Sequence, residues 1–403
     1  MNHAAVTTRL ERWARLVGEA GFAGWLVADF RWNNPLFSRL LGLGSGLLTR
    51  RAFLWLPAHG RGEPCVIASR VDGHSVSGLD CRVLLYSGFE EMTSFLQLLL
   101  PRGEPVAMEY VERGTLPTVS RVDGGLLDLV RECGVEIVSS GPLISALEVW
   151  HETQRAHHER AAQVVDQARR LALQWCEERL GRREQITEGA VVSVITSYFA
   201  DQGVEADHDP DVATGANAAD PHYGIGTGSG SAIEHDNVLL IDLFGRVRDA
   251  AEAPYADSTW MAFTGPRPPD DVLRAFDVVR DARDAALDAI ADATHAGISL
   301  AGREVDRAAR AVLAERGFTD RIIHRTGHSL GIDHVHGMGT NLDDVEFPDD
   351  RPLLAYSGFT VEPGLYWPGR FGIRLEVSAI LFPDGPHVTT ERQQSLTLIN
   401  AGA

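Results

Sequence analysis

Four acidic residues in the C-terminal half of the chain lie in segments whose other residues are typical of buried strands. Asp242 follows the run Val-Leu-Leu-Ile, Asp257 lies within Tyr-Ala-Asp-Ser-Thr-Trp-Met-Ala-Phe, Glu362 follows Phe-Thr-Val, and Glu376 is flanked by Leu and Val. Removing a carboxylate from water is costly unless the group is paired or binds a cation. Together with His328, which lies in a glycine-rich turn, these residues predict a site for two metal ions.

The expected chemistry follows from the types of ligand. Four negative charges at close quarters need two dications to neutralise them. Ligation mostly by oxygen, with one nitrogen, favours Mn²⁺ or Co²⁺ and is compatible with Zn²⁺ or Fe²⁺. Two ions roughly 3.5–4 Å apart hold a bridging hydroxide and stabilise a tetrahedral intermediate, which is the chemistry of hydrolysis at a carbonyl.

Each acidic residue has a plainer explanation when it is taken alone. Arg374 and Glu376 are two residues apart, so they share one face of a strand, and that face could point to solvent. Asp242 and Asp257 suit neighbouring antiparallel strands joined by a polar loop, but each could also be a strand-end turn residue. Glu362 is followed by Pro-Gly and could occupy an exposed turn. The set as a whole therefore carries the prediction.

Two histidines, His324 and His328, are four residues apart, a spacing that would place both on one face of a helix. Gly327 and Gly331 make a helix unfavourable here, so we predict a loop whose path the glycines determine. A further histidine, His222, indicates little by itself.

The elements that must position these residues fall into two parts. The first part begins with an amphipathic helix from Leu10 to Ala20 and continues with short apolar segments bounded by turn residues. These segments, which we predict to be strands, are residues 25–28, 52–56, 65–68, 83–86, 106–109 and 135–138. They indicate a small α/β domain.

The second part opens with a long helical stretch, 148–181, followed by the segment 186–203. A second long helix, from Pro268 to Gly297, is followed by the similar segment 298–317. This faint repeat predicts two similar halves with a site between them.

Composition excludes several classes of function. The formal net charge of −19 argues against binding to nucleic acid or to an anionic membrane. All 37 residues counted as Lys or Arg are arginine, which excludes a Schiff-base lysine, a pyridoxal-phosphate anchor and a P-loop lysine. The four cysteines form no Cys-x-x-Cys pair, and there is neither a signal core nor an apolar run of about 20 residues. We therefore expect a cytoplasmic protein with reduced thiols.

The order of the motifs resembles that of the pita-bread metallopeptidases, which include methionine aminopeptidase, aminopeptidase P and prolidase. The segments 25–31 and 49–57 also resemble the creatinase-type N-terminal domain of this family. The pieces that match the catalytic domain are Asn217 with His222-Tyr223, Asp242, Asp257, His324 with His328 and Gly331, Glu362-Pro-Gly-Leu-Tyr366 and Arg374-Leu-Glu376. The resemblance implies an α+β protein with a creatinase/prolidase-like domain at 1–147 and a pseudo-twofold pita-bread catalytic domain at 148–403.

The resemblance also implies the metal ligands, which would be Asp242, Asp257, His328, Glu362 and Glu376. Asp257 and Glu376 would bridge two divalent ions, with Mn²⁺ favoured and Co²⁺ or Zn²⁺ as alternatives. Glu362 would in addition carry the proton of the metal-bound water.

Other residues would act around the metals. His222 would help to protonate the leaving nitrogen or stabilise the intermediate, His324 would line the substrate pocket, and Arg374 would orient a bridging carboxylate. The family places a further histidine seven residues after the metal-binding histidine, and that position is Val335 here. We favour His336 for this role, with His334 as the alternative contact to substrate.

The implied activity is hydrolysis of the N-terminal Xaa-Pro bond of peptides by attack of a metal-bridging hydroxide, in a homo-oligomer. One alternative is an Xaa-Pro dipeptidase, or prolidase. Another is a metal-dependent hydrolase or lyase of a small non-peptide substrate on the same fold. A binding protein that has lost catalysis is a third, and loss of ligands would mark it, whereas this chain retains the full set.

Overall fold

The structure is a computed structural model and describes residues 3–43, 48–226, 228–250 and 252–399. The chain divides into two compact units, Met1–Ile144 and Ser145–Ala403. No helix among the described residues is long and apolar enough to cross a membrane.

The N-terminal unit is built on one six-stranded sheet. Its strands are β1 (Gly24–Asp29), β2 (Ala52–Pro57), β3 (Cys65–Ser69), β4 (Arg82–Tyr86), β5 (Pro105–Met108) and β6 (Glu136–Ser139). The order across the sheet is β4-β3-β2-β1-β5-β6. The pairs β1–β2 and β2–β3 are antiparallel, and the other three pairs are parallel. All six strands that the sequence predicts are present.

The helices of this part of the chain are α1 (His3–Glu19), α2 (Pro35–Leu41), α3 (Phe89–Leu99), α4 (Gly124–Glu132) and α5 (Gly141–Leu147), the last of which runs into the next unit. Strand β2 is buried along its whole length, as expected for the middle of a sheet covered on both faces. Helix α2 begins where the Asn34 side chain accepts a hydrogen bond from the Leu36 N–H and Pro35 supplies the first helical residue.

The C-terminal unit contains two pairs of helices and three small sheets. The helices are α6 (Glu152–Gly181), α7 (Glu188–Asp201), α8 (Asp270–His295) and α9 (Gly302–Glu315). The longer strands are β9 (Val238–Val247) and β10 (Ala256–Phe263), and the shorter ones are β7 (Val204–Glu205), β8 (Asp211–Thr214), β11 (Gly358–Val361), β12 (Gly364–Trp367), β13 (Phe371–Arg374), β14 (Val377–Phe382), β15 (Gly385–Val388) and β16 (Thr397–Leu398).

The faint repeat in the sequence corresponds to the helix pairs. Helices of 30 and 26 residues, α6 and α8, are each followed by a helix of 14 residues, α7 and α9. Strand β9 separates the two hydrophobic cores. Leu239, Ile241 and Leu243 pack with α6 and α7, whereas Val238 and Leu240 pack with α8 and α9. Alternation along the strand therefore places Asp242 on the same face as Val238 and Leu240, towards the core that contains α8 and α9.

The chain around Glu376 differs from the single buried strand that its flanking residues indicate. It forms two strands, β13 and β14, and Leu375 and Glu376 lie between them. Strand β13 pairs with β12, whereas β14 pairs with β11 and β15. The backbone N–H of Glu376 donates instead to the carbonyl of Thr259 in β10, at 3.2 Å. The chain thus changes sheets at this point, which alternation of residue types does not reveal.

Candidate metal centre

Asp242 and Asp257 come from adjacent antiparallel strands. Asp242 lies opposite Thr259, and Asp257 lies opposite Phe244, two residues away along the same strands. Side chains opposite each other in an antiparallel pair share a face, so all four residues project to one side of the sheet. The register therefore places the two aspartates diagonally across from each other.

The two glutamates approach from the other sheets of this unit. Glu362 directly follows β11, and its backbone N–H donates to the Thr326 carbonyl at 2.6 Å. Its carboxylate accepts a hydrogen bond from Thr360 Oγ1 at 3.2 Å. Glu376 lies in the break between β13 and β14, where its Oε2 accepts a hydrogen bond from Thr259 Oγ1 at 2.7 Å.

His328 lies in the predicted glycine-rich loop, which contains no helix. Its backbone N–H donates to Thr360 Oγ1, and its Nδ1 lies 3.0 Å from the Ser329 carbonyl. A carbonyl can only accept, so Nδ1 carries the proton and a neutral ring keeps a lone pair on Nε2. Burial, followed by the charge of His336, lowers the pKa of His328 well below its usual value. Nε2 lies 3.5 Å from Glu362 Oε1 and 3.7 Å from Asp257 Oδ2.

Gly327, immediately before this histidine, is required by close packing. A Cβ atom there would lie 2.1 Å from the Thr360 carbonyl oxygen. Because backbone atoms cannot yield such space, the loop can approach β11 only with glycine at this position.

Three carboxylate oxygens in this cluster are buried and have no hydrogen-bond partner among the described residues: Asp242 Oδ1, Asp257 Oδ1 and Glu376 Oε1. Ligand atoms of Asp257, His328 and Glu376 all lie within 4.8 Å of one another. Buried anions without donors are strongly unfavourable, and a cation between them removes the penalty. The residues present therefore fit divalent metal ions, whose ligands are carboxylate oxygens and one imidazole nitrogen.

The electrostatics of the carboxylates lead to the same conclusion. Burial, followed by the negative charges of Glu376 and Asp242, raises the pKa of Asp257 well above its usual value. Burial and the charge of Glu362 act in the same direction on the pKa of Glu376. The pKa of Glu362 rises to about 7, again chiefly through burial. Without cations, these groups cannot all be ionised at neutral pH.

Among the described residues, Arg374 is the arginine that forms an ion pair with a carboxylate of this cluster, and its guanidinium has several hydrogen-bond partners. Its guanidinium forms an ion pair with Asp242 and donates to Thr259 Oγ1 at 3.1 Å and to Tyr366 Oη at 3.3 Å. A further hydrogen bond of 3.1 Å runs to the Pro221 carbonyl. The residue pairs directly with Asp242, whereas its link to Glu376 runs through the hydroxyl of Thr259. One guanidinium cannot balance four carboxylates.

The cluster opens into a cavity of about 330 Å³. Every site residue that the sequence singles out lines it: Asp242, Asp257, His328, Glu362, Glu376, Arg374, His222, His324, His334 and His336. Asp207, His208, Asp211, Phe244, Arg325 and Glu346 are among the further lining residues. The structure thus brings together predicted site residues that are up to 154 positions apart, from His222 to Glu376.

His324 is held in one orientation by two hydrogen bonds. Its Nδ1 donates to the Arg325 carbonyl at 2.6 Å, so its Nε2 accepts from Tyr366 Oη at 2.8 Å. Burial, followed by the charge of Arg374, lowers the pKa of His324 to about 3. A Cβ atom at Gly364 would lie 2.8 Å from His324 Nε2, which explains why glycine precedes Leu-Tyr in this motif. The imidazole is therefore a neutral part of the pocket wall.

The two histidines that compete for the position after His328 differ in environment. The ring centroid of His336 lies 4.0 Å from that of His328. The side chain of His334 is 78% exposed, and its Nδ1 lies 3.4 Å from Asp207 Oδ2. His336 therefore lies against the ligand set, whereas His334 occupies the solvent side of the cavity.

His222 is exposed and lies on a loop that is fixed by a residue the sequence did not single out, Glu188. Glu188 is fully buried at the start of α7, after the N-cap Thr187. Its Oε1 accepts from the Thr214 N–H at 2.8 Å and from Asn217 Nδ2 at 2.9 Å. Its Oε2 accepts from Tyr223 Oη at 2.8 Å and from the Ser231 N–H at 2.6 Å. One carboxylate thus binds residues that precede His222 and residues that follow it, and so fixes the loop.

Asp211, Thr259 and Ser378 were also missed by sequence reasoning. Asp211 lies directly opposite Asp242 in the β8–β9 pair. Ser378 Oγ accepts a hydrogen bond from the Asp257 N–H at 2.9 Å and donates to the Asp257 carbonyl at 2.8 Å. The two-residue spacing of Thr259 from Asp257 was a usable signal, because it puts the hydroxyl on the same face. The position of Ser378 depends on how the sheets meet and leaves no signal in the local sequence.

Comparison with known proteins gives the context for this centre. Residues 156–381 match the family described as metallopeptidase family M24. The chain is 27% identical over 383 residues to the "Probable dipeptidase PepE" of Mycobacterium bovis, which covers 94% of this chain and 92% of that protein. It is 31% identical over 224 residues to the Xaa-Pro dipeptidase of Lactobacillus delbrueckii subsp. lactis, covering 54% of each.

The fold has solved counterparts. The crystal structure of dipeptidase PepE from Mycobacterium ulcerans superposes with a TM-score of 0.72 over 99% of both chains, at 24% sequence identity. At this identity the likeness concerns the fold, since function depends on the residues of the site. The fold is the expected α+β arrangement of a creatinase-like N-terminal unit and a pita-bread catalytic unit. Because the match to the family profile covers more than half of the chain and contains all five candidate ligands, the protein belongs to metallopeptidase family M24.

Proposed function

We propose that the protein is a dinuclear metal-dependent peptidase that hydrolyses the N-terminal Xaa-Pro bond of peptides. The observation that carries the proposal is the set of three buried carboxylate oxygens that have no hydrogen-bond donor among the described residues, in side chains that line one cavity together with His328. Cations among these oxygens would remove the cost of burying unpaired negative charge. Asp242, Asp257, His328, Glu362 and Glu376 would hold two ions, with Asp257 and Glu376 shared between them.

When bound, the two ions supply an activated water and polarise the scissile carbonyl. The protein's own residues then handle protons and orientation. Glu362 accepts the proton of the water and passes it towards the leaving proline nitrogen. Thr360 Oγ1 donates to Glu362 and holds its carboxylate in place.

The histidines around the cavity would bind and orient the peptide. His222 and His336 lie on the cavity wall, where an imidazole can stabilise developing charge on the carbonyl oxygen or protonate the leaving nitrogen. His324 forms a neutral surface for the substrate because both of its ring nitrogens are already hydrogen-bonded. His334 is the alternative to His336 and would reach only the outer part of a bound peptide.

Two forms of this activity follow from the family relationship. An aminopeptidase removes the first residue from peptides of any length, and a dipeptidase accepts only Xaa-Pro itself. The name of the Mycobacterium bovis relative, a probable dipeptidase that matches along most of its length, supports the second form. The creatinase-like N-terminal unit, assigned to residues 1–147, is compatible with either form.

Further properties belong to the same proposal. Mn²⁺ is the favoured ion, with Co²⁺ or Zn²⁺ as substitutes, because oxygen ligands dominate the site. Cys65, Cys81, Cys133 and Cys176 are free thiols, which supports a reducing, cytoplasmic location. A homo-oligomer is proposed from the family resemblance.

The test is reconstitution. Protein stripped of metal with a chelator is supplied with Mn²⁺, Co²⁺ or Zn²⁺ and assayed with Xaa-Pro dipeptides, Xaa-Pro tripeptides and peptides without proline. We expect hydrolysis of proline peptides to return with about two ions bound per chain. An Asp288→Asn variant, which changes an exposed aspartate of α8, is the matched control for substitutions in the site. The proposal would be refuted if none of the ions bound, or if peptides without proline were cleaved as fast as Xaa-Pro peptides.

A further inference from the structure

The cavity contains more acidic side chains than the candidate metal centre accounts for. Seven carboxylates and two arginines line it, and two divalent ions would offset the four carboxylates of the candidate ligand set. The other three, Asp207, Asp211 and Glu346, then face the guanidinium groups of Arg325 and Arg374. With uncharged histidines, the cavity therefore keeps an excess of negative charge even when both ions are bound, and this excess favours a substrate with an additional positive group.

Asp207 carries one of these extra charges. Its side chain is 23% exposed, and its Oδ2 accepts a long hydrogen bond of 3.4 Å from the Val335 N–H. No arginine forms an ion pair with this carboxylate among the residues that the structure describes. Arg246, which like Asp207 acts on the pKa of Tyr255, is paired with Glu205 at 2.9 Å. The charge of Asp207 is therefore available to a cation in the cavity.

The wall that leads from the candidate ligands to Asp207 is aromatic. Asp242 and Phe244 are two residues apart on β9, so they share the face that lines the cavity. The ring of His208 lies against that of Phe244, with 4.5 Å between the ring centroids. His208 directly follows Asp207 in the chain. The wall thus begins at a candidate metal ligand, continues over two rings and ends at a carboxylate.

Such a wall fits a side chain with an apolar stem and a charged tip. Arginine and lysine bury their methylene groups along apolar surface and keep the charged end at a polar group. Asp211 lies opposite Asp242 at the inner end of the wall, where it would attract the ammonium group of the same residue. We therefore expect the first residue of the substrate on this side of the cavity, and proline beside the neutral ring of His324.

We propose that Asp207 binds the basic side chain of the first residue, so that the enzyme prefers peptides that begin with Arg-Pro or Lys-Pro. This inference rests on the peptidase function proposed above. A ligand in this cavity is indicated independently of Asp207, because buried oxygens of Asp257 and Glu376 in its lining have no donor among the described residues. The carboxylate forms charge-assisted hydrogen bonds with a guanidinium or ammonium group, whereas a neutral side chain of the same shape leaves it without a cation.

The experiment compares wild type with Asp207→Asn, which keeps the size and an acceptor oxygen of the side chain but removes its charge. Asp209→Asn is the matched control, because Asp209 is exposed in the same segment and is not among the residues that line the cavity. Each metal-loaded protein is assayed with Arg-Pro and citrulline-Pro after its metal content has been checked. The first residues of these two substrates have the same length and differ in charge.

The ratio of the two kcat/KM values reports the charge of Asp207. In wild type and in Asp209→Asn, kcat/KM should be about tenfold higher for Arg-Pro than for citrulline-Pro, and in Asp207→Asn the ratio should fall to about two. Raising the ionic strength from about 0.05 M to about 0.5 M should lower the ratio in wild type, because salt screens the attraction.

Three outcomes would overturn the inference. The first is a ratio near one in wild type, and the second is an undiminished ratio in Asp207→Asn. The third is an equal loss on both substrates in Asp207→Asn, which would show that Asp207 supports the shape of the cavity or contacts the ammonium group that both substrates share.

A binding measurement separates this inference from the function on which it rests. Arginine and citrulline are the first products of the two substrates and differ in the same charge. Calorimetry should show that metal-loaded wild type binds arginine about fivefold more tightly than citrulline, and that Asp207→Asn binds both alike. Equal binding by wild type would refute the role of Asp207 even in an active peptidase. If wild type cleaves no Xaa-Pro peptide, the proposed function fails, whatever the result for arginine.

Discussion

Two sets of carboxylates in the C-terminal unit are similarly buried but differ in how many hydrogen-bond donors reach their oxygens. Glu188 is fully buried, and four donors satisfy its two oxygens. Asp257 and Glu376 are 5% and 3% exposed, yet each keeps one oxygen without any donor among the described residues. Burial alone therefore does not mark a binding site. The distinguishing feature is an anion for which the fold supplies too few hydrogen-bond donors.

Asp349 extends the comparison, because it too is fully buried and satisfied. Its oxygens accept hydrogen bonds from the N–H groups of Asn341 and Arg351 and from the Arg351 side chain. Carboxylates of this kind hold loops together and do not need a ligand. Those of the candidate metal centre raise one another's pKa values and have oxygens without donors among the described residues, as expected for ligands of cations. Four experiments follow from this difference.

The largest effect is expected at Asp257. Asp257→Asn removes a charge that two ions would share, so metal content should fall and kcat/KM should drop by about a thousandfold. In the absence of metal, the same change should increase the free energy of unfolding, because it relieves repulsion from Glu376 and Asp242. Elemental analysis, kinetics and urea unfolding of the stripped protein check the three parts. A variant that keeps its metal and its activity would contradict the assignment.

Glu188 should behave in the opposite way. Glu188→Gln replaces acceptor oxygen by a donor that faces existing donors, and should lower the free energy of unfolding by about 1–3 kcal/mol. Metal stoichiometry should stay at the wild-type value, while kcat falls because the His222 loop is loosened. Glu177→Gln, an exposed change on α6, is the control. Loss of metal from Glu188→Gln without loss of stability would remove the distinction between the two sets.

The pH dependence of stability provides a third test, on protein without metal. Burial raises the pKa of Glu362 to about 7 from its ordinary value of 4.5, and the pKa values of Asp257 and Glu376 are also raised. Through these carboxylates the folded protein binds more protons than the unfolded chain, so their contribution to the free energy of unfolding should fall as pH rises from 4.5 to 7. The lowered pKa values of the buried His158, His324, His328 and His336 act in the opposite direction. Urea titrations at several pH values measure the slope. In the Asp257→Asn variant the free energy of unfolding should fall less steeply with pH. An equal slope in both proteins would contradict an electrostatic interaction of Asp257 with Glu362 and Glu376.

The smallest effects are expected at the two competing histidines. His336→Ala should lower kcat by about a hundredfold, because its ring lies against His328. His334→Ala should change kcat by no more than about twofold, because the side chain is mostly exposed. Steady-state kinetics on one substrate decides between them, and a reversed order would give the role to His334.

Much of this centre can be predicted from residue types because the strands alternate regularly. The positions of Asp242 and Asp257 follow from two apolar runs joined by a polar loop, and their shared face follows from the register. The predicted loop at His328 follows from its glycines. The six strands of the N-terminal unit are equally clear, because each is a short apolar run between turn residues.

What the sequence does not reveal depends on contacts between distant segments. The break before Glu376 arises because its N–H bonds to Thr259, 117 residues earlier. Glu188 looks like an ordinary first-turn acid after an N-cap threonine, and its four partners lie between Thr214 and Ser231.

The change of sheets at Glu376 has a consequence for the synthesis of the protein on the ribosome. Asp242 and Asp257 emerge first, and the chain must grow by more than a hundred residues before Glu376 follows. No fragment that ends before the β13–β14 break can complete the proposed centre, since Glu376, one of the five candidate ligands, is still missing. The complete set of candidate ligands would therefore exist only after synthesis had passed this point.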